Sequence, residues 1–556
     1  RNTLPDFWDM VLGIALIVMV MEAMRRTNGW IMPIITMCFI LYALYGPLLP
    51  APWTHKGYAV GRLVGVMYMT LEGIYGVAVD VSSSLIILFT IFGAFLQYSG
   101  AGKFYIDFSF SAMGGKPTGA GRTVVLASFL LGGPSGSGVA TTVTLGSVAY
   151  PMLAKAGYER NAAGGLLAAG GLGAIISPPV LGAAAFLIAE FLKISYLDVL
   201  LMAVIPTCMF YLALFLMVEI DARKYGMGNT AFDKVDTVWN LTKHYGFHFL
   251  SLVSIVVFMM WGFSPVLSVF WATVVSFLSS FLRRDCALIS YDLFQGKGSF
   301  WPLVLKSPFM KAMEGGSVGV LNVAATCAGA GIIVGVVTLT GLGLKFSCIV
   351  IDYAGGSLPL TAIFTSLVVW IVGLAVPVTA SYIICAVIAA PALIKLGVPD
   401  FAAHMFIFYY AVLSEVSPPT ALSPFAAAAI TGGDPYKTTL QCWKYTIPAF
   451  LVPFMFVLDP SGQGLLLMGS TKALANADWV SIAQVTATCA VGIASLAIGF
   501  QGWALLKTTF VERWMFIVAG FALVYPGAIA DLVGFGLVLL ALTMQFIRFK
   551  SNRSLI

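Results

Sequence analysis

Ten consecutive residues, Gly133 to Thr142 (GPSGSGVATT), interrupt a strongly apolar chain with small, hydroxyl-bearing and helix-breaking side chains. A double proline, Ile176 to Pro179 (ISPP), interrupts it again about forty residues on. Broken backbone leaves amides without partners where a helix starts and carbonyls without partners where one ends; the first attract anions, the second cations. In lipid each unsatisfied group is so costly that such breaks persist only where protein buries them or where they line a polar cavity. Ser135, Ser137, Thr141 and Thr142 add hydroxyls that can donate to a carboxylate or coordinate a hard cation, while Gly133, Gly136 and Gly138 let the backbone approach closely. Pro178 and Pro179 remove two amide donors, leaving carbonyls from Gly173 to Ile176 without helical partners. A ring of oxygens with no fixed positive side chain suits a Na⁺ ion.

The same pair occurs again. Gly373 to Ala380 reads GLAVPVTA and Ser417 to Pro419 reads SPP. An offset of 240 places Gly133 on Gly373, Thr141 on Ser381, Pro151 on Pro391, Lys155 on Lys395 and Ser177-Pro178-Pro179 on Ser417-Pro418-Pro419. Offsets of 241 and 242 bring Gly100 and Gly102 onto Gly341 and Gly343, and Pro206 onto Pro448. Paired, Gly/Pro-interrupted apolar segments in two halves of a chain point to a secondary transporter's binding site. The candidate substrate contacts are Ser137, Gly138, Thr141, Thr379, Ser381 and Ser423. The candidate cation ligands are Ser135, Gly173, Ile176, Pro178, Thr379, Ser414, Val416 and Pro418, with Val376 nearby. No Lys or Arg lies between Gly133 and Ala154 or between Gly373 and Ile394, so an anionic substrate would be held by amides, hydroxyls and bound cations. Cation and anion would then stabilise each other, a route to obligatory coupling.

The elements that must hold these breaks are membrane helices. The chain is 60% apolar and 10% charged, with a mean hydropathy of +0.95, against about 25% charged in a soluble domain. Apolar runs near spanning length fall at 8–24, 29–49, 82–100, 161–189, 199–222, 246–262, 265–282, 316–341, 401–431, 442–459, 480–505, 514–531 and 533–547. Stretches 122–155 and 362–396, bent at the special loops, read as re-entrant hairpins. The expected fold is therefore an all-α polytopic membrane protein with inverted repeats, two re-entrant hairpins and two broken helices. Its expected divisions are 1–80 (N-terminal scaffold), 81–206 (first transport repeat), 207–315 (scaffold and a cytoplasmic interfacial helix), 316–448 (second transport repeat) and 449–556 (C-terminal membrane helices).

Thirty basic against 24 acidic residues give +6, which reads as positive-inside bias. Basic clusters at Arg25-Arg26, 103–122, 155–160, 223–243, 283–311, 507–513 and 548–553 share one face if the spans alternate. Hairpin one then enters from the cytoplasm and hairpin two from outside. Stretches 52–80 and 297–313 mix charged with apolar residues and suit interfacial amphipathic helices.

Some residues invite chemistry that their surroundings do not support. The eight cysteines are scattered without CxxC and read as small core residues. Glu415 beside the second break is a candidate proton carrier, although its offset partner Ile175 is apolar. Glu72, Glu190, Glu219 and Asp221 fall at expected span ends and read as solvated, and His404 as a satisfied helix histidine. A small-residue run such as SGSG is commonly a packing face; two occurrences, each followed by a double proline, favour a site. There is no HExxH, no GxSxG with a triad partner and no Walker A loop, which argues against an enzyme and against ATP-driven transport. No cleavable signal pattern is present, and the start at Arg1 without Met suggests residues upstream.

GPSGSGVATT, GYERNAAGGLLAAGGLGAIISPPVLGAAAFLIAE, and PVTASYIICAVIAAPALIKLGVP with SPPTALSPFAAAAITGGDP resemble the fused membrane subunit of tripartite ATP-independent periplasmic (TRAP) transporters. GAAAFLIAEF and LVPFMFV fit the TAXI-type branch. The resemblance covers about 70–460 and implies a non-enzymatic importer in the bacterial or archaeal inner membrane, coupled to Na⁺ in preference to H⁺ and without an organic cofactor. It implies an elevator motion, a periplasmic binding protein as partner, and a small carboxylate such as glutamate or 2-oxoglutarate as substrate; neither nucleic acid nor ATP is expected. Ile175-Ile176-Ser177 departs from the family's usual polar residue before the first double proline, which leaves backbone oxygens to carry that cation site. TAXI-type permeases usually carry further N-terminal spans, and their absence ahead of Arg1 fits a truncated chain. The alternative is a stand-alone Na⁺/dicarboxylate elevator symporter needing no binding protein.

Overall fold

The computed structural model describes residues 5–114, 118–135, 137–227, 236–291, 300–419, 421–525 and 527–553. Among these there is no β-strand, only an isolated bridge between Trp503 and Lys507. The all-helical membrane architecture is the one expected. Nine helical segments among the described residues are long and apolar enough to cross a membrane: 7–28, 31–48, 77–98, 196–224, 308–340, 378–395, 435–458, 479–501 and 528–551. The other expected spans are built from shorter helices. Stretches 161–189 and 401–431 each hold two helices flanking a break, and 514–531 holds the end of Phe510–Val524 and the start of Ala528–Arg553.

The repeat is visible in the helix boundaries. The second arm of hairpin one, Gly138–Lys155, starts 240 positions before Val378, and its end, Lys155, lies 240 before the end of Ala390–Lys395. Arg160–Ile176 starts 240 positions before Asp400–Ser414. The short helices Ala101–Met113 and Leu342–Tyr353 also correspond, each preceded by a glycine in the left-handed region, Gly100 and Gly341. Both double prolines, Pro178-Pro179 and Pro418-Pro419, contain a cis peptide bond.

The chain forms two compact units. The first comprises Arg1–Ser99, Gly182–Tyr196 and Ser251–Glu415. Its axis is the 33-residue helix Pro308–Thr340, against which Phe7–Asn28, Ile31–Tyr45, Val60–Met69 and the span 77–98 pack. Met24, Met32, Leu63, Met67, Ile332 and Val336 form its core. Close approach is set by Gly331, where a Cβ would lie 2.6 Å from the Gly73 carbonyl oxygen. This unit also holds hairpin two (Leu358–Gly373 and Val378–Ile388), the first half of the second broken helix (Asp400–Ser414) and the second half of the first (Ala184–Leu192).

The second unit comprises Gly100–Leu181, Leu197–Leu250 and Val416–Ile556. It holds hairpin one (Gly119–Ser135 and Gly138–Lys155), the first half of the first broken helix (Arg160–Ile176) and the second half of the second (Leu422–Thr431). Gly146 packs on Ile430, and the Tyr150 hydroxyl donates to the Thr431 carbonyl at 2.8 Å. The chain passes from one unit to the other at both double-proline loops, at 181/182 and at 415/416.

Two interfacial expectations change. Within 52–80 the helix is only Val60–Met69; it buries Leu63 through Met67, and Val77 already begins the next span. Of 297–313, residues 297–299 lie outside the described residues. Phe300–Leu305 is a short helix, and Pro308 opens the long axis helix, so these residues serve two elements.

Candidate functional site

At the first break, the start of Gly138–Lys155 is capped by the Ser137 hydroxyl, which accepts from the Ala140 amide at 3.4 Å. Ser137 is exposed, while Gly138, Thr141 and Thr142 are buried. Arg160–Ile176 presses against this arm so closely that a Cβ at Gly171 would fall 2.0 Å from Thr142 Oγ1 and 2.5 Å from the Gly138 carbonyl oxygen. No L side chain fits there. Thr142 Oγ1 has no hydrogen-bond partner among the described residues, an orphaned buried hydroxyl beside the helix start. A buried polar atom of this kind is what an oxygen-ligated ion or a substrate would satisfy. Ser135 lies at the end of the first arm, and its side chain is outside the described residues, as is Gly136.

Two carbonyls at the end of Arg160–Ile176 accept from side chains. Ser177 Oγ donates to the Gly173 carbonyl at 2.6 Å, and the Tyr211 hydroxyl lies 3.2 Å from the same Oγ. Thr207 Oγ1 donates to the Ile176 carbonyl at 2.6 Å. A carbonyl has two lone pairs, and on each of these two oxygens a side-chain hydroxyl takes one. Pro178 is half-buried just beyond them.

At the second break, Val416 plays the part of Ile176, 240 positions earlier: its carbonyl accepts from Trp443 Nε1 at 3.0 Å. The Ser417 carbonyl accepts from the Ala421 amide at 2.9 Å, which closes the loop around half-buried Pro418. Ser423, in the first turn of Leu422–Thr431, is fully buried. In the other unit, Gly373 ends the first arm of hairpin two with no room for a side chain. A Cβ there would lie 2.3 Å from Ser414 Oγ and 3.1 Å from Ser381 Oγ. Two of the candidate hydroxyls therefore converge beside one backbone position. Ser414 Oγ donates to the Ala411 carbonyl at 2.6 Å and Ser381 Oγ to that of Val369 at 3.4 Å. Thr379 is buried in the first turn of Val378–Ile388.

Of the candidates, Thr379, Ser381 and Ser414 belong to the first unit. Ser135, Ser137, Gly138, Thr141, Gly173, Ile176, Pro178, Val416, Pro418 and Ser423 belong to the second. Sequence reasoning missed Thr207, Tyr211 and Trp443, which lie in the helices following the breaks. The only signal for them is a polar or indole group in an otherwise apolar face.

Glu219 and Asp221 are a correction, since neither is solvated. The Glu219 side chain is 16% exposed and pairs with Arg122 and Arg223; Asp221 is 2% exposed and accepts from the Tyr445 hydroxyl at 2.6 Å. His404 is satisfied, its Nδ1 lying 2.8 Å from the Tyr382 hydroxyl. Glu415 is half-buried at the end of Asp400–Ser414. Among the described residues no three His, Cys, Asp or Glu side chains gather as a metal site.

The family described as "Tripartite ATP-independent periplasmic transporter, DctM component" matches residues 15–461, a range that includes both hairpins and both breaks. A comparison with curated proteins finds no match.

Proposed function

Since the chain belongs to the family of tripartite ATP-independent periplasmic transporters as a DctM component, we propose that it is a TAXI-type permease importing a small carboxylate, coupled to Na⁺ in preference to H⁺. A periplasmic binding protein delivers the substrate from outside the inner membrane. The carboxylate, of the glutamate or 2-oxoglutarate kind, meets the amides and hydroxyls at the helix starts, with Ser137, Gly138, Thr141, Thr379, Ser381 and Ser423 as contacts. The cation meets Ser135, Gly173, Ile176, Pro178, Thr379, Ser414, Val416 and Pro418, chiefly through carbonyl oxygens and hydroxyls. Hairpins and broken helices move as the transport element of an elevator.

One observation carries this reading. At equivalent positions of the two repeats, Ile176 and Val416, the carbonyl two residues before the double proline accepts a side-chain donor from a later helix. Hard cations take such oxygens, and broken helices are where secondary transporters bind them.

The test is uptake into proteoliposomes of a panel of small carboxylates, with imposed Na⁺ or H⁺ gradients, with and without a TAXI-type binding protein. Uptake that needs both a Na⁺ gradient and the binding protein supports the reading. Robust uptake by the permease alone would replace it with a stand-alone symporter, and uptake driven by H⁺ alone would remove the Na⁺ assignment.

A further inference from the structure

The helix that holds the first break is tied to the helix that holds the second by one carboxylate. Tyr196–Lys224 carries Thr207 and Tyr211, which reach Ile176 and Ser177; Pro435–Phe450 carries Trp443, which reaches Val416. Asp221 stands near the end of the first of these helices, and Lys444 and Tyr445 follow Trp443 directly on the second. Tyr445 donates to Asp221 Oδ2 at 2.6 Å, and Lys444 Nζ lies 3.8 Å from Oδ1, within ion-pair but outside hydrogen-bond range. All of these residues belong to the second unit.

We propose that Asp221 is a positioning residue that sets the two breaks relative to each other through its buried carboxylate. The carboxylate is buried, and Oδ1 has no hydrogen-bond partner among the described residues. The Tyr158 hydroxyl, also buried and also without a partner, lies in the same charged neighbourhood, in space left by the missing Cβ of Gly121. The remaining charges around the pair are named groups. Glu219 is paired with Arg122 and Arg223; Lys224, whose Nζ donates to the Gln501 carbonyl at 2.8 Å, and Arg513 act on Lys444; Tyr158 and Tyr225 act on Tyr445. Lys444 is the cation that Asp221 itself balances, and its side chain is 25% exposed. Without the carboxylate, Lys444 loses its counter-charge and the Tyr445 hydroxyl loses its acceptor. Both changes loosen the join between the two helices, and with it Thr207 on Ile176 and Trp443 on Val416.

The experiment is hydrogen–deuterium exchange of the full chain in lipid nanodiscs, followed on peptides covering 170–177 and 410–417. It needs neither the substrate nor the coupling ion, so its outcome is independent of the proposed cargo. Asp221→Asn is expected to speed exchange at both breaks by about tenfold, the scale of one lost charge-assisted hydrogen bond. Asp221→Glu, which keeps the charge, is expected to preserve protection. Tyr445→Phe, which keeps the ring, provides a second variant should Asp221→Asn not fold, and is expected to loosen the same two peptides. Loosening of one break only, equal loosening throughout the unit, or a loss of protection in Asp221→Glu as large as that in Asp221→Asn would overturn the proposal.

Discussion

At the scale of single residues, the breaks are held by donors from outside the loops. Thr207→Val keeps the shape of the side chain and removes the hydroxyl that reaches the Ile176 carbonyl. Trp443→Phe removes the indole N–H that reaches Val416. Each is expected to lower stability by about 1 kcal/mol, the net worth of one hydrogen bond, seen as a modest drop in melting temperature in detergent, and to weaken Na⁺-dependent uptake by a larger factor. Loss of uptake in strict proportion to loss of folded protein would assign these donors to folding alone. Gly171→Ala and Gly373→Ala are expected to abolish uptake while leaving membrane insertion intact. A methyl at Gly171 meets Thr142 Oγ1 and one at Gly373 meets Ser414 Oγ, each at 2.3 Å or closer; surface expression measured beside transport checks this. The breaks were legible in the sequence because glycine, proline and hydroxyl residues stand out against an apolar chain. Thr207 and Trp443 were not, because a single threonine or tryptophan in a membrane helix is ordinary composition until a structure shows which carbonyl it faces.

At the scale of elements, the offset of 240 anticipated helix starts and ends, and it did so because the breakers that define the repeat also define where helices stop. Ala101–Met113 and Leu342–Tyr353 fall between the expected apolar runs, where Lys103 and Lys345 break the apolar pattern. The interfacial reading of 52–80 rested on interleaved charges, whereas Val60–Met69 buries Leu63 through Met67 and Val77 already begins the next span. The span-end reading of Glu219 and Asp221 failed because their partners, Arg122, Lys444 and Tyr445, come from helices distant in sequence. Helix packing in the first unit gives a separate prediction. Gly331→Val pushes a branched side chain into the Gly73 carbonyl, 2.6 Å from its Cβ, and is expected to destabilise by about 1–3 kcal/mol, as overpacking does. Thermal unfolding of the purified variant measures it.

At the scale of the whole molecule, residues beyond 461 lie outside the region matching the family, yet they fasten both ends of Tyr196–Lys224. Asp198 near its start accepts from the Thr471 amide at 2.8 Å, and near its end Gln501 Nε2 donates to the Met217 carbonyl at 3.1 Å. Lys224 Nζ returns a hydrogen bond to the Gln501 carbonyl. Removing residues 471–556 is expected to lower the yield of monodisperse protein and to impair transport more than Gln501→Leu alone; size-exclusion chromatography with matched uptake assays checks both. The composition foretold that this segment is membrane helix, but not which helix it would brace.

The stoppered carbonyls at Ile176 and Val416 also bear on how such a carrier diversifies. One acceptor direction on each oxygen is occupied from a neighbouring helix, so under the proposed reading the direction left to an ion is set by residues that never touch it. Lineages could thus shift their preference between ions of different radius by substitutions at positions 207 and 443, with the proline loops left untouched. Ancestral variation in the driving ion would be recorded in those supporting helices, a place where comparisons restricted to the loops would not look.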